Sequence, residues 1–403
     1  MSKPRIRVKG FEEDWKEIDA DHIFKSISDK GHLELPVLSA TQDRGMVIRD
    51  EIDKVVIHDT NNESDYKRVI PGQFVIHLRS FQGGFAHSAV EGITSPAYTV
   101  MGFIESEKHD DYFWKYVFSS KEFINRLKTV TYGIRDGRSI SYNDFLQMKF
   151  KYPSREEQNE IAITIKDFNA LLHKVQDEIT RLNSLKICYL ARLFPIGGGT
   201  EPPMRLKNFH EGWEIIRLKD VAEKVTEKNT LREINEVFTN SAVHGIISQR
   251  DYFDHDVAKK DNIQGYYIVS EDDFVYNPRI SVTSPVGPIN RNKTGKKGVI
   301  SPLYLVFKVH GINKSYLEYY FKTTNWHEYM RFNGNTGARF DRFSISDEDF
   351  FNMPIPVPKS PLEQEKLANY FRNVDELIYL HAQELERLKA LKTSCLEGMF
   401  VNP

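Results

Sequence analysis

The chain has 403 residues, 40% of them hydrophobic and 12% aromatic, with a formal net charge of -2. That length predicts two or more domains, and that apolar share excludes a disordered chain. No run of 18 apolar residues is present, which excludes a membrane-spanning helix by pattern, and near-neutrality leaves any nucleic-acid contact to local patches.

In chain order, the opening stretch MSKPRIRVKGFEEDW has no apolar signal core, so a cytoplasmic location is expected. The two cysteines, Cys188 and Cys395, have no metal-ligand spacing. They predict neither a zinc site nor a disulfide framework, and they suit a reducing compartment. Residues 1–152 read as a first domain. The short apolar runs Met46–Ile48, Lys54–Ile57 and Phe74–Ile76 lie between Gly, Pro, Asn and Asp and predict short strands. Tyr112–Leu127 has helical patterning, as two short helices whose aromatics are core.

Residues 153–196 read as a long helical spacer. Ser154-Arg-Glu-Glu157 fits a capping box. Beyond it, Ile161, Ile165, Phe168, Leu172, Val175, Ile179, Leu182, Lys186, Tyr189 and Leu193 recur in steps of four and three. That is the a/d seam of a coiled coil, broken once by a lysine that can fix register. Pro195–Pro203 then reads as a Gly/Pro linker. Its glycine triplet lacks the spacing of a phosphate loop.

Residues 197–358 read as a second domain that repeats the first. Arg7, Phe11 and Trp15 return as Arg205, Phe209 and Trp213; Phe74-Val75 with Arg79 returns as Phe274-Val275 with Arg279; Gly133 and Arg135 return as Gly337 and Arg339. The stretch from Phe274 to Ser301 holds no Asp or Glu but carries Arg279, Arg291, Lys293, Lys296 and Lys297 beside Asn277, Asn290 and Asn292. Lysine and arginine neutralise phosphates, and arginine or asparagine can address base edges. A second candidate loop, Arg331–Arg342, adds Arg339 and Arg342. The matching loops of the first domain, His77–Ser95 and Tyr132–Arg138, contribute Arg79, Arg135 and Arg138. The plain alternative for all of these is a solvated loop.

Residues 359–403 read as a second helical spacer. Ser360-Pro-Leu-Glu363 repeats the capping box. Its seam runs Leu367, Phe371, Val374, Ile378, His381, Leu385, Leu388, Lys392, Cys395, Met399. Ser360–Phe400 repeats Ser154–Phe194 without a gap, with about 12 of 41 positions identical. The simplest partner for each seam is the other copy, so Ile161, Ile165, Phe168, Leu172, Ile179 and Leu182 are expected to pair with Leu367, Phe371, Val374, Ile378, Leu385 and Leu388. The other helix faces, with Glu157, Gln158, Glu363 and Gln364 near their starts, are expected to be left for partner proteins.

Catalytic patterns are missing. There is no G-x-x-x-x-G-K-[ST], no H-E-x-x-H and no G-x-S-x-G. Glu201-Pro-Pro-Met204 and Asn277-Pro-Arg-Ile280 both fail as the base-holding loop of a DNA amino-methyltransferase. Isolated His77, His87 and His244 read more simply as solvated or core histidines than as ligands. A binding protein is expected rather than an enzyme, with no catalytic and no metal site. The rival is a coiled-coil scaffold or dimerisation protein that does not touch DNA.

The chain resembles the specificity subunits of type I restriction-modification systems over essentially its whole length. Pro354-Ile-Pro-Val-Pro358, Ser360-Pro-Leu-Glu-Gln364 and Leu385-Glu-Arg-Leu-Lys-Ala-Leu-Lys392 carry the resemblance, with the helix repeated after a second variable domain. The first copy, Tyr152-Pro-Ser-Arg-Glu-Glu-Gln158, lacks the Pro-x-Pro run. The resemblance implies an α+β fold, with two similar α/β target recognition domains separated by two long helices packed as an antiparallel coiled coil. It implies a non-catalytic reader of a split double-stranded DNA target that docks two methyltransferase subunits and, through them, restriction subunits. Adenine-N6 methylation would belong to that complex. S-adenosylmethionine, ATP and magnesium would sit on the partners, and no cofactor on this chain.

Overall fold

The computed structural model describes residues 3–41, 44–52, 64–77, 84–127, 131–132, 139–252, 260–336 and 341–400. Two compact units emerge, Met1–Gln176 with Gln383–Pro403, and Asp177–Ala382. The two long helices, Arg155–Arg192 and Pro361–Met399, each contribute one half to either unit.

The first unit is built on a four-stranded antiparallel sheet in the order Phe24–Ile27, Thr99–Phe103, Phe74–Ile76, Phe85–His87. Phe24, Phe74 and Met101 turn inward from it. They meet Phe113, Trp114 and Phe118 of the helix Asp111–Ser119 and Phe123 of Lys121–Leu127. Both helices fall where the aromatic spacing placed them. The strand Lys16–Asp19 pairs with Lys149–Tyr152, which hands the chain to the first long helix. Met46–Ile48 and Phe74–Ile76 are strands as expected, and Lys54–Ile57 lies outside the described residues.

The second unit repeats this plan. Its sheet runs Ala222–Lys224, Leu305–Val309, Phe274–Tyr276, Ile289–Arg291. Trp213–Arg217 pairs with Pro354–Pro358. Proline is tolerated there because, among the described residues, the strand pairs with Trp213–Arg217 alone in a two-stranded ribbon. Phe274, Phe307, Tyr316, Trp326 and Phe350 form its fully buried centre.

All twenty seam positions of the long helices are buried or half-buried, while intervening positions such as Lys166, Asp167 and Arg181 are exposed. In each unit the beginning of one helix lies with the end of the other, so the pairing is antiparallel. In the second unit, Tyr189 meets Tyr370 edge-on at 5.4 Å, and Lys186 Nζ reaches Asp375 Oδ1 at 2.5 Å. The seam also does more than pair helices. Its ends enter the domain cores: Ile161, Ile165 and Met399 in the first unit, Leu193, Leu367 and Phe371 in the second.

The Glu-Gln pairs that open the helices are not free faces, which corrects one expectation. Glu157, Gln158 and Glu363 are at most 1% exposed and Gln364 8%. Arg7 grips Glu157 with two bonds of 2.8 Å, and Arg205 grips Glu363 the same way. The Asp110 backbone N–H donates to Gln158 Oε1 at 2.9 Å, and the Asn313 N–H to Gln364 Oε1 at 3.1 Å. Asp110 and Asn313 are the N-caps of domain helices. Each Glu-Gln pair therefore bolts a long helix to its domain. The reciprocal capping box is not formed either: the Glu157 N–H reaches Ser154 Oγ at 3.4 Å, but the Glu157 carboxylate is spent on Arg7.

Candidate nucleic-acid interface

The acid-free stretch of the second domain folds as strand, hairpin, strand and loop. Asn277 follows the central strand Phe274–Tyr276 and is buried. Its Nδ2 donates to Asn240 O at 2.8 Å, and its Oδ1 accepts the Arg279 N–H at 2.9 Å. Asn240 Nδ2 donates in turn to Val275 O at 2.7 Å. Asn290 Nδ2 donates to Asn240 Oδ1 at 2.6 Å, and its own Oδ1 takes Lys322 Nζ. Burial lowers the Lys322 pKa. Asn292 closes the next loop, donating to Ser270 O and Lys296 O at 2.9 Å each and accepting from Thr294. A buried amide must find such partners. These three asparagines were candidates for reaching bases; the structure uses them as framework.

The cations fall into two groups. Arg291 is held low, its side chain 12% exposed, with Nε 3.1 Å from Glu318 Oε2 and 3.7 Å from Asp272 Oδ1. Glu318 also reaches Lys293 at 3.4 Å, though the Lys293 side chain remains 52% exposed. Arg279, Lys296, Lys297 and Arg342 are exposed. Arg79, Arg135, Arg138 and Arg339 lie outside the described residues. Glu318 escaped the sequence reading because it sits on the helix Lys314–Tyr320, well beyond the acid-free stretch it neutralises. The fully exposed Val282 was also missed; its one sequence signal is a branched apolar residue inside a Ser/Thr cluster.

His87 is buried, with Nε2 2.7 Å from Asp111 Oδ2 and its ring against Phe74 and Tyr112. It is a satisfied core residue. No helix among the described residues is long and apolar enough to cross a membrane.

Residues 210–390 match the family described as the type I restriction modification DNA specificity domain. The type I restriction enzyme MjaVIII specificity subunit of Methanocaldococcus jannaschii is 24% identical over 314 residues, covering 70% of this chain and 68% of that one. The putative type I restriction enzyme MjaX specificity subunit of the same organism is 24% identical over 309 residues, covering 71% and 66%. The chain thus spans about two thirds of each relative's length. Among solved structures, the HsdS subunit from Thermoanaerobacter tengcongensis superposes with a TM-score of 0.52 at 14% identity, over 96% of both chains. The type I restriction-modification S subunit from M. genitalium gives 0.53 at 12% identity, over the full length of both.

A duplicated α/β domain with paired long helices is the fold these solved subunits share with this chain. More narrowly, residues 210–390 carry the type I restriction modification DNA specificity domain, and the chain is similar in sequence to type I restriction enzyme specificity subunits. Such subunits are in general the non-catalytic, sequence-reading part of their complexes.

Proposed function

We propose that this chain reads a two-part DNA target, one part per domain, with an unread stretch between, and that it docks the subunits that act on the DNA. The internal repetition carries this reading: the same sheet order, the same ribbons and the same Arg-Glu bolt occur twice. A duplicated reader implies two half-sites, whose spacing is a matter of protein geometry rather than of base contact. Exposed cations of the second domain at Arg279, Lys293, Lys296, Lys297 and Arg342 supply its phosphate-facing charge. Arg79, Arg135 and Arg138 supply the first domain's, and Arg339 and the largely covered Arg291 complete the basic set.

Docking falls to the outer helix faces now that the Glu-Gln pairs are accounted for. Exposed leucines recur there at the repeat spacing: Leu171 at 41% and Leu391 at 45% on the first unit, Leu377 at 46% and Leu185 at 38% on the second. Leu171 matches Leu377 and Leu185 matches Leu391. Repeated exposed apolar residues mark interaction surfaces, and a repeated surface suits two copies of one methyltransferase subunit. In the proposed assembly that partner carries S-adenosylmethionine and methylates adenine at N6. Restriction subunits bring ATP and magnesium, and the complex works in the cytoplasm.

Sequencing methylated adenines in cells carrying the complete system tests this. A split motif that vanishes when this chain is deleted is the expected result. A continuous motif would refute the two-reader proposal, and methylation by the isolated chain would refute its non-catalytic role.

A further inference from the structure

Arg279 and Arg342 are direct cross-strand neighbours. They form an antiparallel bridge, flanked by the Ile280 N–H donating to Asp341 O at 3.0 Å and the Phe343 N–H donating to Pro278 O at 2.7 Å. Directly opposed residues present their side chains on one face, with Cβ atoms about 4.5–5.5 Å apart. Both arginines are exposed. Among the described residues neither side chain pairs with a carboxylate, unlike Arg291, Arg205 and Arg7. Two like charges so placed destabilise a ribbon, so the pair is kept for something it meets.

The stand beneath the pair is rigid. Asn277 fixes the Arg279 backbone and is itself fixed to Asn240. Tyr276 Oη donates to Val286 O at 2.8 Å, which ties down the far end of the hairpin. Gly287 has φ +86, and a Cβ there would run into the Asn277 carbonyl. Between these anchors, Ser281 and Ser284 exchange backbone hydrogen bonds of 3.1 Å in both directions. Val282 stands at the tip with a relative exposure of 102%. A branched apolar side chain at full exposure gains nothing from the fold that carries it.

We propose that this arginine-bridged hairpin is the base-reading element of the second domain. It rests on the DNA-reading proposal above and goes further in naming residues and bases. The major groove admits a two-stranded ribbon, arginine pairs bidentately with guanine O6 and N7, and an apolar group meets the thymine methyl. Arg279 and Arg342 address guanines on neighbouring base pairs, whose about 3.4 Å rise lies within the reach of two such side chains. Val282 meets a thymine methyl beside them. Lys293, Lys296 and Lys297, on the adjacent loop, hold phosphate. The aligned positions of the first domain are Arg79, Arg138 and Gln82, so the arginines recur while the tip residue differs, as two readers of different half-sites require.

The test compares the methylated sites of the complete system carrying the wild-type chain, Arg279→Lys, Arg342→Lys or Val282→Ala. Lysine keeps the charge but loses the bidentate fork. The wild-type target should show guanines at neighbouring base pairs in one half. Each lysine variant should relax one of those positions by about 5- to 150-fold, with the other half unchanged, and Val282→Ala should relax a T·A pair. Identical site sets for wild type and lysine variants would show that the arginine forks read no guanine and would overturn the proposal, as would equal changes in both halves. Melting of the purified complex with Arg342→Gln should be unchanged or higher, because a like-charge repulsion is removed. A drop of several degrees would make Arg342 a structural residue and equally overturn it. If the wild-type system itself methylates nothing, the parent proposal of DNA reading fails; if only the variants behave as wild type, this one alone fails.

Discussion

An asparagine amide has four bonding sites, and Asn290 shows what happens when the fold claims them. Its donor goes to Asn240 and its acceptor to Lys322, which leaves little for a base edge. Whether such a residue reads DNA or braces the reader depends on depth, and depth is not written in local composition. The buried Arg-Glu bolts are the reverse case. Removing one partner of a buried pair leaves an uncompensated charge, at about 3–5 kcal/mol. Glu157→Ala should therefore cost the first unit about that much, and Glu363→Ala the second, read from denaturation midpoints. His109 adds a pH signature. Burial pushes it down to about 4, opposed weakly by Glu105 and Glu107 and reinforced weakly by Arg155 and Lys108, and its Nδ1 accepts from Trp114 Nε1 at 3.3 Å. Its folded pKa lies below the unfolded value of about 6.5. The unfolded chain thus binds the proton first, and stability should be full above about pH 6.5 and fall as pH drops toward 4. Replacing His109 with Gln, which keeps an acceptor for Trp114, should flatten that slope in urea midpoints followed by tryptophan fluorescence.

The long helices were the most legible elements, because an apolar period of 3.5 sustained over 38 and 39 residues fits little besides a paired helix. What the pattern hid was the partner of each turn. Ile165 and Leu172 look alike in sequence, yet Ile165 belongs to the first domain's core and Leu172 does not. Likewise Glu157 scans as a capping residue, and its true partner, Arg7, is 150 positions away. Periodicity reports that a face is covered; it cannot report by what. Phe371, at 0% exposure among Phe194, Tyr319 and Tyr370, tests how much the seam's end matters. Phe371→Ala should cost about 3–5 kcal/mol, whereas a mid-seam, half-covered position such as Ile378 should cost less in the same melting assay. The repeat also exposes an asymmetry. Asp375 serves Lys186 and Tyr319 in the second unit, but Asn169 holds its place in the first, bonding Tyr116 at 3.4 Å.

At the scale of the molecule, the duplication predicts independent faults. Reversing charge at Lys293, Lys296 and Lys297 together should weaken DNA binding and reduce its salt slope by about one unit per lost phosphate contact. An unaltered salt slope would remove that loop from the interface and favour the pure scaffold. Placing aspartate at Leu171 and Leu391 should leave the fold intact and halve the number of methyltransferase subunits bound per chain, as read by mass in solution. Loss of both copies, or of neither, would show that the repeated leucines are not the two docking points.

The two units also differ in when they can exist. The second is one unbroken stretch, Asp177–Ala382; the first needs Gln383–Pro403 to close it. Ile6 donates its N–H to Gly398 O at 2.8 Å, and Gly398 has no Cβ to obstruct Ile6. Residues around Ile6 therefore wait for the segment around Gly398, which is synthesised much later. About 220 residues separate Gln176 from Met399, on the order of 10–40 s at a synthesis rate of about 5–20 residues per second. During that interval the nascent first domain lacks the helix end that covers Phe113 and must persist unsealed, while the second, made later, can finish ahead of it.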